Sequence, residues 1–188
     1  MINATKTTSN YEPVPQVTHC ARIYQVIHIG TVSGFEGKMQ NKVRINFELP
    51  NETKEFKEGE GQKPYSIARE YTLSFHEKAS LRGLIEACIG SCEGEMEYNV
   101  ENLIGKTCLL NIKHKVSTKD GQTYAQVDTA SPLPKGMICP SLVNQTLIFS
   151  HSNFDHLVFK ELPDFLHKKI ENSLEYQKMM SDNGGVPF

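Results

Sequence analysis

Missing from this sequence is any apolar run long enough to span a membrane, so a membrane protein is not expected. The stretch Met1 to Asn10 is polar and lacks the pattern of a secretory signal. An excess of basic residues is missing too: 20 Lys and Arg stand against 22 Asp and Glu, for a net charge of −2. That balance excludes a protein that coats nucleic acid by overall basicity, and any such site has to be a local patch. Gly-rich phosphate loops, nucleophile elbows and HExxH are absent, and Ser150-His151 and Asp155-His156 are sequence neighbours without being a triad. An enzyme is therefore not expected. The cysteines Cys20, Cys88, Cys92, Cys108 and Cys139 are odd in number with no signal beside them, which implies reduced thiols in a cytoplasm. Cys88-x-x-x-Cys92 has ligand-like spacing, with Cys108 and His114 elsewhere. Cys88, however, falls on an apolar helix face and no second tight pair completes a zinc site, so neither metal nor cofactor is expected.

What is present is a series of short strand patterns. The stretch Asn102 to Gly136 reads as a hairpin: Leu110, Ile112, His114 and Val116 alternate with Asn111, Lys113 and Lys115, and Ala125, Val127 and Thr129 with Tyr124, Gln126 and Asp128. Between them Asp120-Gly121 is a favoured turn pair, since Gly accepts positive φ without strain. Upstream, Thr18 to Gly30 is strand-like, with Ile23, Ile27 and Ile29 on one face; Gln25 on that face calls for a bulge or a strand end shared between two sheets. Lys42 to Leu49 alternates cleanly, with Val43, Ile45, Phe47 and Leu49 inward, until Pro50 stops it ahead of a long polar loop to Lys63. A third strand spans about Tyr65 to Phe75, with Ile67, Tyr71, Leu73 and Phe75 on one face and Arg69 out of register with them. Ser74-x-x-Glu77 has capping-box spacing, and Leu81, Leu84, Ile85, Cys88 and Ile89 follow at helical intervals up to Gly90.

Three strands, one helix and two strands are the order of the five-stranded OB-fold barrel. The expected organisation is a flexible arm over residues 1–16, a mainly β OB domain over 17–136, and a C-terminal extension over 137–180. The extension holds an edge strand at Thr146 to Phe149 and a helix over about 163–180, opened by Pro163 and Asp164; residues 181–188 form a flexible tail.

Such a barrel binds single strands on the face of its second and third strands and on the loops joining strands 1–2 and 4–5. The outward side of the second strand offers Lys42 and Arg44, the first loop Phe35 and Lys38, and the hairpin Lys113, Lys115 and Lys119, with Arg22, Tyr24, Arg69 and Tyr124 able to join them. Cations that track phosphates, interleaved with aromatics that stack on bases, are what sequence-tolerant single-strand binding needs. The terminal Val186-Pro187-Phe188 places a free carboxylate beside a large apolar side chain, a compact ligand for a basic-rimmed pocket on another protein.

The runs YQVIHIGTVSGFEGKMQNKVRINFEL from Tyr24, REYTLSFHEKASLRGLIE from Arg69, and NLIGKTCLLNIKHK through SPLPKGM resemble bacteriophage single-stranded DNA-binding proteins of the OB-fold type, over roughly Tyr11 to Met180. The resemblance implies a replication or recombination accessory protein that coats exposed phage DNA. The terminus is similar to that of bacterial single-stranded DNA-binding proteins, whose acidic tails close on Ile-Pro-Phe; here the acidic run shrinks to Asp182, with Glu175 further back. That similarity implies replication or recombination partners docking through Asp182, Val186, Pro187 and Phe188. Two alternatives stay open: an OB-type protein-interaction module, suggested by the near-neutral charge and acidic loop, and a single-stranded RNA-binding protein. Homo-oligomer formation is open as well.

Overall fold

The computed structural model describes residues 12–182, apart from the side chain of Phe35. Five antiparallel strands carry the fold: β1 (Thr18–Ser33), β2 (Met39–Lys54), β3 (Lys63–Thr72), β4 (Thr107–Val116) and β5 (Thr123–Ser131). They lie in the order β3-β2-β1-β4-β5, and a short sixth strand, β6 (Leu147–Phe149), runs parallel to β1. Helix α1 (Ser80–Ile89) stands between β3 and β4, and α2 (His156–Glu161), α3 (Asp164–Glu171) and α4 (Leu174–Asp182) follow β6. The architecture is mainly β. The closed barrel is not formed: among the described residues no ladder joins β3 to β5, and the sheet is open.

The alternation of β2 is realised in full. Val43, Ile45, Phe47 and Leu49 are buried and meet Ala21 and Ile23 of β1, Ile67 and Tyr71 of β3, and Leu81, Leu84 and Ile85 of α1 in the main core. Gly90 caps α1 at φ 96°, its N–H donating to the Glu86 carbonyl. Three local expectations need correction. Pro50 does not stop β2, because Pro50, Asn51 and Glu52 form a bulge between the Leu49–Tyr65 and Thr53–Pro64 pairs, where proline forfeits no ladder bond. β3 ends at Thr72, leaving Leu73 exposed. Nor do Ser74 and Glu77 cap α1: the helix begins at Ser80 behind Ala79, and the Ser74 hydroxyl accepts from the His76 N–H in a separate turn.

β1 serves two cores, which is the reason for the apparent blemish at Gln25. Pairing passes from Ile23–Phe47 to Gln25–Asn46, leaving Tyr24 as a bulge residue and reversing the strand's inside-outside phase. Before the bulge Ala21 and Ile23 face the main core, and after it Val26 does. Ile27 then points the other way, into a second cluster with Phe149, Leu162, Leu166 and Ile170. The extension thus lies on the outer side of β1 and β2. The helix expected over about 163–180 is split into α3 and α4, with α2 ahead of them, because the buried Ser173 accepts from the Tyr176 N–H and starts α4 as a new helix. Gly30 makes this approach feasible: at φ 92°, a Cβ there would lie 2.7 Å from Glu175 Oε2 and 2.9 Å from His151 Nε2.

Candidate nucleic-acid interface

The β4–β5 hairpin leaves the core at Ile112 and Val127, both buried; His114, Lys115 and Val116 beyond them are exposed. The apolar face read from the sequence therefore fades past Ile112, with Ala125 the last β5 side chain against the core and His114 bonded to the Val14 carbonyl, and the tip beyond them is largely exposed. Its turn is closed by the Ser117 N–H on the Gln122 carbonyl and the Gly121 N–H on the Ser117 carbonyl, with Gly121 at φ 68°. Near the tip, Lys115 pairs across the ladder with Tyr124. Lys115, Val116, Ser117, Thr118, Lys119 and Tyr124 line a groove of about 480 Å³. The Tyr124 hydroxyl donates to Asp120 Oδ2 at 2.7 Å, so the half-exposed ring is held in one orientation. That bond, reinforced by the Gln122 N–H, holds the Asp120 carboxyl below its ordinary value, where it stays a charged acceptor. Among the described residues Lys115 and Lys119 have no ion-pair partner, whereas Lys113 lies 2.7 Å from Asp128.

The other candidates sit elsewhere. Arg22 is bound to three carbonyls of the chain: Gly105 and Cys139 at 2.8 Å and Pro140 at 3.0 Å. It fastens the start of the extension to β1. Two residues away Cys20 meets Cys139, and burial followed by that contact raises the Cys20 thiol to about 12. Arg69 turns toward the core side of β3, stacks on Tyr71 and donates to the Val127 and Asp128 carbonyls. Tyr24 is half-buried, and burial first, with Glu48 adding, raises its hydroxyl against the influence of Ser66 and Arg44. Arg44 is half-buried 3.6 Å from Glu70, under the ring of Phe165; burial lowers its guanidinium while Glu70 opposes that shift. Lys38 is exposed 3.9 Å from Glu36, and Lys42 is half-buried between Gly30 and Thr72. The Phe35 side chain and the terminal Val186, Pro187 and Phe188 lie outside the described residues; Asp182 closes α4 and is exposed.

Lys115, Lys119 and Tyr124 are therefore brought together, and Lys113 stands beside them on the same ribbon. The strand-face candidates Tyr24 and Arg44 are under the extension. Glu48 shows how firmly: the fully buried carboxylate accepts from the Val143 N–H, the Asn144 N–H and the Asn144 side-chain amide at 2.9, 2.7 and 2.6 Å. At the far end Glu175 accepts from the N–H and hydroxyl of Thr31. With Leu162, Leu166, Ile170 and Phe149 buried between these anchors, the extension is an integral layer of the fold. Sequence reasoning missed Asp120 as the holder of Tyr124, and it missed Phe165, Lys168 and Lys169. Those last three share a helix face at i, i+3 and i+4, a spacing visible in the sequence.

Compared with known proteins, the chain matches no family model and no curated protein. Among the described residues no group of three or more His, Cys, Asp or Glu side chains is arranged to hold a metal. No helix among them is long and apolar enough to cross a membrane.

Proposed function

We propose that this protein binds single-stranded DNA with little sequence preference, through the β4–β5 hairpin of an open, OB-type sheet. The strand order, with β1 between β2 and β4 and one α-helix between β3 and β4, supports the OB reading. The observation that carries the function is the hairpin groove: a tyrosine ring fixed through its hydroxyl, flanked by Lys115 and Lys119, which have no acidic partner among the described residues. A half-exposed ring held in place loses little entropy when a base stacks on it, and two ammonium groups beside it suit phosphates. The role that follows is coating exposed strands in phage DNA replication or recombination, with the C-terminal Val186-Pro187-Phe188 recruiting partner proteins. Five free cysteines suit a reducing, cytoplasmic setting.

Fluorescence anisotropy with labelled oligo-dT and a matched duplex tests this reading. Binding to oligo-dT, weaker binding to the duplex, and loss of both through Lys115→Glu/Lys119→Glu are the expected results. Equal or absent binding at low salt overturns it. A protein-interaction module is the second reading, favoured by the extension occupying the strand face that OB domains use for single strands. Under that reading the double charge reversal spares partner binding.

A further inference from the structure

The extension that hides Arg44 puts an aromatic ring of its own on the surface. Phe165 is 48% exposed and belongs to neither hydrophobic cluster; the inward stripe of α3 is Leu166 and Ile170. The Arg44 guanidinium lies 5.2 Å from the Phe165 ring centroid, a cation–π contact that fixes the ring from the sheet side. Lys168 and Lys169 flank the ring on the same helix face, and Lys42 shares the outward side of β2 with Arg44. Arg44 and Lys169 converge on the single carboxylate of Glu70. Lys42 and Lys168 have no acidic partner among the described residues, and Asp164 and Glu171 are the acidic residues within about one helical turn of Lys168. The surroundings are thus cationic on balance around an aromatic ring that packing does not require.

We propose that Phe165 is a second base-stacking platform, with Lys42 and Lys168 placed to meet the phosphates on either side of the stacked base. The inference rests on the reading of this protein as a single-strand binder. It moves the binding surface of the strand face outward by one layer, from the sheet onto the extension. The covered Arg44 then acts as a positioning residue for the Phe165 ring.

The chain contains no tryptophan, so Phe165→Trp installs one indole whose emission a stacked base quenches. Titration of F165W with oligo-dT is expected to quench that emission over the same concentration range as the anisotropy change. Phe165→Ala is expected to weaken oligo-dT binding roughly 5- to 150-fold, the worth of one stacked base. Thermal unfolding of both variants, together with Phe165→Leu, separates lost stacking from lost packing. If wild type binds no single strand, the functional reading fails and takes this inference with it. If wild type binds and Lys115→Glu/Lys119→Glu weakens it, but F165W is unquenched and F165A unchanged, the stacking platform alone is overturned. Tighter binding by F165A overturns it too, and makes the extension an obstructing cover.

Discussion

Arg69 of β3 donates a 2.7 Å hydrogen bond to the backbone carbonyl of Asp128 on β5, across the side of the sheet where the two strands share no ladder. Asp128 is the extra residue of a bulge, between the Asn111–Thr129 and Ile112–Val127 pairs, so its carbonyl is available to a guanidinium instead of a strand. Arg69→Ala is expected to lower stability by about 2 kcal/mol, the worth of a hydrogen bond from a charged donor, read as a lower urea midpoint. Arg69→Lys recovers less than half of it, since an ammonium cannot also lie flat on Tyr71, whose ring centroid is 5.0 Å away. The oligo-dT affinity of the folded protein stays unchanged, because this arginine serves the seam.

Glu48→Ala leaves the amides of Val143 and Asn144 without their acceptor. The expected cost is about 3 kcal/mol, with Glu48→Gln milder because one carbonyl oxygen remains. Limited proteolysis distinguishes this from a general loss of packing: new cleavage within 137–146 should precede cleavage in the sheet.

Acid should loosen α4 first. Burial pushes the Glu175 carboxyl up, but the Thr31 N–H and hydroxyl and the charge of a protonated His151 outweigh it, leaving the group below its ordinary value of 4.5. A carboxyl lowered in the folded state binds its proton sooner in the unfolded chain, so its stabilisation is complete above pH 4.5 and is lost as pH falls through the lower folded value. His151 is lowered by burial from 6.5, so it too removes stability as pH drops below 6.5. Glu175→Gln should lower the melting temperature at pH 7, and the gap to wild type should shrink below pH 4.5. A gap of constant size from pH 7 to pH 3 contradicts the assignment.

Much of the sheet was legible in the sequence for one physical reason: a strand with a single buried face writes that face as period two. Val43 to Leu49 does so, and Asp120-Gly121 marked the hairpin turn. β1 was harder to read, because a bulge at Tyr24 changes which side is inside and the second core buries Ile27 on the opposite face. The strand face was misjudged for a different reason. Arg22 and Arg44 have the chemistry of phosphate ligands, and nothing local announces that carbonyls 117 and 118 positions away, or a ring on a remote helix, will occupy them. The hairpin lysines escaped this ambiguity because Lys113, Lys115 and Lys119 all remain exposed.

Salt sensitivity should separate the hairpin cations from one another. Replacing Lys115 or Lys119 by Ala should each lower the magnitude of the slope of log affinity against log salt by about 0.7, the share of one single-strand phosphate contact. Lys113→Ala should change the slope less, because its ammonium already lies beside Asp128. Titrations of oligo-dT over a range of salt concentrations read this directly, and three equal decrements contradict the ranking.

Thr31 and Glu175 are bonded at a separation of 144 positions, so the outer side of β1 waits for nearly the whole chain. At a synthesis rate of 5–20 residues per second, that wait is roughly 7–29 s, far longer than local strands and helices need to form. For most of it, until Phe149 is made, Ile27 has no buried partner from the second cluster, although the hairpin of β1 and β2 is already complete. A growing chain therefore carries an apolar strand face in water at the ribosome. Apolar surface exposed for such an interval is aggregation-prone until the extension covers it.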